Sequence, residues 1–514
     1  MTLVSPELLA LQRLYHWEKA TPDQPTLTQP MGGGVTRDLT WSEVADQVRR
    51  VAAHLQSQGW PPGSNVAILS KNCAWWLMSD LAIWMAGHVS VPLYPTLAPD
   101  TIAHILTHSE AKACFVGKLD AWENMKPGVP AGLPCISYPL SPPDVIKNCE
   151  GWDAICARQT PMPGEVLRGA EELATLIYTS GTTGRPKGVM QNFGSFAWAI
   201  GAGIQRIGMS AEDRMLSYLP LAHVVERVLV EHGWLCTGLH LYFADSLETF
   251  AADLQRARPT IFFSVPRLWV KFQQGVHHKM QPAKLQLLLS IPIVGGLVRR
   301  KVLKALGLDH CRIAAGGAAP MPVALLNWYR QLGLPINEGY GLTENLAVSH
   351  LTIPGTNQQG TVGPAYEGVE DRIDPNTGEI QMRSPAMMMG YYKDPVQSKT
   401  AFTGDGWLRT GDKGQIDAQR NLHITGRIKD LFKTSKGKYV APAPIEDKLV
   451  MHEAIEACVV TGANLGQPLG IVMLNEQAVA RIRDAGARTE LETSLAVHLQ
   501  SINATLDPHE QVKC

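Results

Sequence analysis

The chain has 514 residues, several times the usual domain size, and reads as a large lobe of fused subdomains plus at least one smaller unit. Lys and Arg total 46 against 47 Asp and Glu, a formal charge of -1, which lacks the electrostatic footprint of a general nucleic-acid binder. Nine cysteines, odd in number, scattered and never spaced as CxxC, indicate neither a disulfide framework nor a zinc site and fit a reducing cytoplasm.

The N-terminal stretch MTLVSPELLALQRLYHWEKA mixes charges into an amphipathic pattern and has neither the apolar core nor the cleavage site of a signal peptide. No apolar run is long enough to span a bilayer. From Thr40, TWSEVADQVRRVAAHLQSQG predicts a helix, with Thr40 and Glu43 spaced as a capping box and Gly59 as the stop. A strand NVAILS follows, then a helix over 74–86, a strand over 89–93, a helix over 101–108 and a short strand in KACFVG. Strands alternating with helices predict a parallel, doubly wound sheet.

Residues 120–165, rich in Pro and Gly, read as a surface connection, and a second alternating block runs over 173–349. Beyond Gly360, turn dipeptides in PNTGE, GDGW and AQRN separate short segments of a small β-rich subdomain. After Gly426 a compact mixed region runs to Cys514. LQLLLSIPIVGGLV, residues 285–298, is apolar and flanked by Lys279 and Lys284 before it and by Arg299, Arg300, Lys301 and Lys304 after. It is too short to span; either it rests in a headgroup region or it is a buried helix and turn.

The string YTSGTTGRPKGV, residues 178–189, follows the strand LATLI. Small residues with free amides and hydroxyls let such a loop close around phosphate oxygens, while Lys187 reaches the outer phosphates. It is not a Walker loop, because the lysine follows Gly184 by three positions and no Ser or Thr comes after it.

This loop resembles the phosphate-binding signature of the AMP-forming synthetase superfamily, and further strings occur in that family's order: YLPLAHVVER, GGAAP, NEGYGLTEN, WLRTGD and GRIKDLFKTSKGKYVAPAPIE. LPLAHVVER, VPRLW and KGKYVAPAPIE are similar to the long-chain acyl-CoA synthetases in particular. The resemblance implies two doubly wound αβα subdomains and a small β-barrel-like subdomain in a lobe over 1–428, then a small α+β domain over 429–514. It also implies that this small domain ends short of the family's adenylation lysine, to which no lysine near Cys514 corresponds.

The activity implied is ATP-dependent conversion of a long-chain fatty acid to acyl-CoA through acyl-AMP. The alternatives are an acyl-AMP ligase serving a carrier protein and a non-catalytic binder. ATP, Mg²⁺ and coenzyme A are the implied small molecules, with peripheral membrane contact as a possible partner surface.

By the same resemblance, Thr179, Ser180, Gly181, Thr182, Thr183, Gly184 and Lys187 hold phosphates, and Thr179 with Glu344 binds Mg²⁺ through hard oxygens. Gly316, Gly317 and Ala318 lie along the adenine and Tyr340 stacks on it, with Glu338, Gly339, Gly341 and Thr343 around the nucleotide. Asp412 accepts the ribose hydroxyls and Arg427 holds the same sugar. His223 stands at the mouth of the carboxylate pocket, and Arg267 belongs to a long-chain string or is structural. Lys429 is the hinge of the small domain, Lys433 reaches the nucleotide when that domain closes, and Gly437 and Lys438 meet the coenzyme A nucleotide.

Overall fold

The computed structural model describes residues 8–179, 185–356 and 358–513. Its largest sheet has eight strands. In spatial order they are Gly390–Tyr391, Lys187–Asn192, Leu173–Thr179, Val89–Leu93, Asn65–Leu69, Cys114–Val116, Cys135–Ser137 and Glu150–Gly151. From Leu173–Thr179 to Glu150–Gly151 the neighbours run parallel, whereas Lys187–Asn192 is antiparallel to both strands beside it. Strand Asn65–Leu69 sends Val66 and Ile68 into one core and Ala67 and Leu69 into another. Both faces are covered, as the period of two requires in a doubly wound sheet.

The expected capping box is present. Thr40 Oγ1 accepts from Glu43 N at 3.3 Å, Glu43 Oε2 accepts from Thr40 N at 2.8 Å, and helix Trp41–Ser57 follows. Helices Ala74–Met85 and Pro99–His108 lie where the periodicity predicts them.

Two expectations need correction. Residues 120–165 do not merely run over the surface, because they supply the last two strands of the sheet and bury Ile136, Tyr138, Trp152 and Ile155. Nor does the second block begin a sheet of its own at Leu173: strands Leu173–Thr179 and Lys187–Asn192 complete the first one.

The second subdomain instead recruits the N-terminal hairpin Pro25–Gly32 and Val35–Thr40, which pairs in parallel with His240–Phe243 and through it with Arg214–Ser217. A further four-stranded sheet, ordered Ile261–Ser264, Ile313–Gly316, Ile336–Tyr340 and His350–Leu351, is stitched to Arg214–Ser217 where Thr260 N donates to Arg214 O at 3.0 Å. Glu370–Ile373, Glu379–Arg383, Leu408–Ile416 and Leu422–Arg427 form the β-rich subdomain, an antiparallel sheet.

Ile428 N donates to Gly411 O at 2.8 Å, tying the chain to this sheet one residue before Lys429. Beyond it, Val440, Ile445, Leu449, Val460, Ile502 and Val512 enclose a separate small core, with helix Ala485–Asn503 packed on it. The fold is thus a large α/β lobe followed by a small α+β domain.

Candidate active site

The Gly-rich string closes a hairpin. Strand Leu173–Thr179 leads in, Lys187–Asn192 leads out, and Thr179 faces Lys187 across the ladder. Ser180, Gly181, Thr182, Thr183 and Gly184 lie outside the described residues. The base of the hairpin rests on helix Pro99–His108, where His108 Nδ1 meets the Tyr178 hydroxyl at 2.8 Å.

Strand Gly390–Tyr391 extends the sheet on the hairpin's outer edge, with Tyr391 opposite Val189. That register carries the Tyr391 ring to within 5.3 Å of Lys187 Nζ, whose ammonium also donates to Gln397 Oε1 at 3.0 Å. The Tyr391 hydroxyl in turn donates to Glu344 Oε1 at 2.8 Å. Lys187 and Glu344, 157 positions apart by subtraction of their numbers, are therefore joined through one tyrosine that the sequence reading passed over.

The loop carrying Glu344 is fastened to the same hairpin. Gln191 Nε2 donates to Thr343 O at 2.9 Å, and Met388 N donates to Glu344 O at 2.8 Å. The loop folds tightly on itself: a Cβ at Gly341 would lie 2.4 Å from the Ala347 carbonyl carbon, so only glycine fits there.

Thr179 and Glu344 offer a hydroxyl and a carboxylate, both hard donors. No group of three His, Cys, Asp or Glu that could hold a metal exists among the described residues. A donor set this small suits magnesium, which draws its remaining oxygens from substrate phosphates and water.

On the neighbouring sheet, Gly316 pairs with Glu338, and a Cβ at Gly317 would lie 3.0 Å from Gly339 O. The strings GGAAP and NEGYG thus lie backbone against backbone, with Ala318 in the left-handed region at φ 68. Glu338 is buried, and burial pushes its carboxyl up to about 7.

The Tyr340 hydroxyl donates to Asp412 Oδ2 at 2.6 Å, and Arg427 Nε meets Oδ1 at 3.2 Å. Asp412 and Arg427 face each other in adjacent strands, which is why the pair forms. Burial raises the Asp412 pKa even though both partners favour its charged form.

His223 lies in the turn after Pro220. Its Nδ1 accepts from Val225 N at 3.2 Å, which leaves the proton on Nε2, and burial lowers its pKa so that the ring is neutral. The turn is held by a buried network. Glu226 Oε1 accepts from the Ser217 hydroxyl at 2.8 Å, from Tyr218 N at 3.0 Å and from Asn72 Nδ2 at 3.2 Å, while Asn72 Oδ1 accepts from Leu221 N at 3.1 Å. Residues 226–232 form a π-helix, a rare and costly geometry that tends to persist at functional positions.

Arg227 is wholly buried, ion-paired to Asp80 and Glu231 and set among the rings of Trp76, Trp84 and Phe196. It also donates to Thr175 Oγ1 at 3.0 Å on the strand that leads into the Gly-rich string.

Not every candidate joins these clusters. Lys429 is exposed at the start of the small domain. Lys433 lies over the Tyr439 ring at 5.6 Å, and Gly437 and Lys438 turn the small domain's hairpin, where Gly437 has φ 76. Arg267 forms an ion pair with Glu456 of the small domain. It lines a cleft of about 1150 Å³ that also touches Ala318, Pro320 and Asp447, between the large lobe and the small domain.

Residues 14–392 match the family model described as AMP-binding enzyme. The chain is 32% identical over 484 residues to the long-chain-fatty-acid–CoA ligase FadD15 of Mycobacterium bovis, covering 87% of this chain and 79% of that protein. It is 30% identical over 481 residues to the peroxisomal long chain acyl-CoA synthetase 6 of Arabidopsis thaliana, covering 85% and 68%. Among solved structures, the A domain of carboxylic acid reductase from Segniliparus rugosus, in complex with AMP and a co-purified carboxylic acid, superposes with a TM-score of 0.81 at 22% identity, covering 99% of this chain and 88% of that one. The anthranilate CoA ligase AuaEII in complex with anthranoyl-AMP gives 0.79 at 20% identity, covering 100% and 93%.

Proposed function

The chain belongs to the AMP-binding enzyme family, and from that premise we propose that this adenylate-forming ligase activates a long-chain fatty acid with ATP and passes it to coenzyme A. The observation that carries the long-chain reading is similarity along 87% of the chain to a ligase of that specificity.

A fatty carboxylate is already ionised at neutral pH, so its attack on the α-phosphate needs no general base. It needs positioning and relief of the charge that builds up. In this reading His223 donates Nε2–H to the carboxylate, and the Asn72–Glu226 network fixes the turn that aims it. Lys187 holds the outer phosphates, Asp412 and Arg427 the ribose, and Tyr340 with the GGAAP backbone the adenine. Thr179 and Glu344 would hold a magnesium ion, which would supply positive charge to offset that of the phosphates. The carboxylate oxygen bonds to the α-phosphorus as the bond to pyrophosphate breaks, leaving acyl-AMP. A thiolate then attacks the acyl carbon and AMP departs with the electron pair.

We assign residues 1–428 to the lobe that binds acid and nucleotide and 429–514 to a small domain hinged at Lys429. Lys433 serves adenylation, and Gly437 and Lys438 meet coenzyme A. The cleft beside Ala318 supports thiol entry between the two units. A reducing cytoplasm, where thiols such as Cys73 stay free, suits the chain.

The test incubates the protein with ATP, Mg²⁺, coenzyme A and acids of graded length, and measures pyrophosphate and acyl-CoA separately. Both products, greatest with long acids, are expected. Pyrophosphate without thioester would move the reading to an acyl-AMP ligase for a carrier protein, and neither product would leave a non-catalytic binder.

A further inference from the structure

Between Val265 and Leu308 the sequence contains no Asp or Glu but eight Lys and Arg, in a chain whose total charge is -1. The structure folds this stretch into helices Pro266–Lys279, Pro282–Ser290 and Val294–Ala305. The inner side of the last two is anchored: Leu285 and Val302 bury against Leu332, with Val276, Leu289 and Trp328 packed around them. The outer side is not covered. Leu287 is 64% exposed, Ile293 86% and Leu297 66%.

The turn between these helices presents Ile293 at φ 68 and ψ -54, a positive-φ conformation that a β-branched residue adopts only at a cost. The most exposed apolar side chain of the hairpin thus sits at a strained tip. Behind it, helical spacing places Arg300 and Lys304 on the same face as Leu297, at intervals of three and seven residues. Lys284, Arg300 and Lys304 are exposed and form no ion pair among the described residues.

We propose that this helical hairpin is a docking surface for an anionic lipid bilayer, inserting Ile293, Leu297 and Leu287 below the headgroups while Lys284, Arg300 and Lys304 engage the phosphates. Charge complementarity selects this occupant. Apolar side chains at a convex tip, ringed by unpaired cations without an intervening carboxylate, match an interface that is apolar beneath a layer of negative charge. The surface is peripheral, since no described helix is long and apolar enough to cross a membrane.

The experiment is flotation with vesicles of phosphatidylcholine alone and with vesicles part-replaced by phosphatidylglycerol, without ATP, acid or coenzyme A, so that its result is independent of the proposed reaction. Binding is expected to be at least about tenfold stronger to the anionic vesicles and to weaken with added salt. The double variant Arg300→Glu with Lys304→Glu should remove most of that preference, and Ile293→Asn with Leu297→Ser should lower binding to both vesicle types. Asparagine removes the β-branch at this positive φ, so the apolar variant should melt close to the parent temperature. If it melts lower, Leu287→Ser replaces it. Equal binding to neutral and anionic vesicles, binding unchanged by both double variants, or no binding would overturn the proposal. So would a concentration-dependent dimer in sedimentation velocity that the apolar variant abolishes, which would assign the patch to a second copy of the chain.

Discussion

The Tyr340 hydroxyl and the Arg427 guanidinium approach opposite oxygens of one carboxylate, Asp412, at 2.6 Å and 3.2 Å. Arg427 is largely solvent-exposed, so its ion pair contributes little to folding, while the tyrosine bond fixes the orientation of a mostly buried acid. If Asp412 holds the ribose, Asp412→Ala loses charge-assisted bonds and weakens ATP binding by about 1–3 kcal/mol. Tyr340→Phe should cost about 1 kcal/mol, because the acid remains but is no longer oriented. Calorimetric titration with ATP decides this, and unchanged affinity in Asp412→Ala would sink the assignment.

Tyr391 links Lys187 and Glu344, to which the proposed function gives the outer phosphates and the magnesium ion. Tyr391→Phe keeps the ring under Lys187 Nζ but removes the donor to Glu344. The expected outcome is a several-fold rise in the Mg²⁺ concentration needed for half-maximal pyrophosphate release, with the melting temperature nearly unchanged. A fall in activity that saturating Mg²⁺ does not relieve would show that the tyrosine acts through Lys187 instead.

What could be read from the sequence depended on how local each signal was. The Thr40–Glu43 capping box and the helix over Ala74–Met85 follow from spacing within one element, and they are present. The pairing of Leu27 with Leu241 is set by partners more than two hundred residues apart, and no periodicity encodes it. Strand Cys135–Ser137 is too short for alternation to rise above the Pro and Gly around it, although it joins Cys114–Val116 to the edge strand Glu150–Gly151. At the site, Asp412 and Tyr340 lie in recognisable strings. Tyr391 acquires its place only through an edge strand of two residues, and Asn72 only through a turn formed far along the chain.

Arg227 was legible only as one letter of LPLAHVVER, yet it holds together three elements: helix Ala74–Met85 through Asp80, strand Leu173–Thr179 through Thr175, and its own π-helix through Glu231. Arg227→Leu would strand two buried carboxylates without a counter-ion. A loss of roughly 3–5 kcal/mol is expected, enough to leave much of the chain unfolded or insoluble. Arg227→Lys keeps the charge but not the forked geometry that reaches all three oxygens, and should fall between the two. Thermal melts of the soluble fractions test this order, and a leucine variant as stable as the parent would refute it.

Glu226 lets the burial of the His223 turn be tested through pH. Its carboxyl is fully buried, and burial pushes its pKa from 4.5 up to about 8 despite the donors from Ser217 and Tyr218. Because the folded value lies above the unfolded one, the stability linked to the proton is fully present below about pH 4.5 and is lost as the pH rises through about 8. Glu226→Gln keeps an oxygen to accept from Ser217, Tyr218 and Asn72 but cannot ionise. Near pH 5 the variant should therefore match the parent or fall slightly below it. Above pH 8 it should exceed the parent by on the order of a few kcal/mol, since each pKa unit corresponds to about 1.4 kcal/mol. Urea unfolding of both proteins across this range reads the difference directly. If the two curves run parallel from pH 5 to above pH 8, Glu226 is ionised throughout and the network holds it as a carboxylate. The His223 turn would then be braced by a buried charge rather than by a neutral acid.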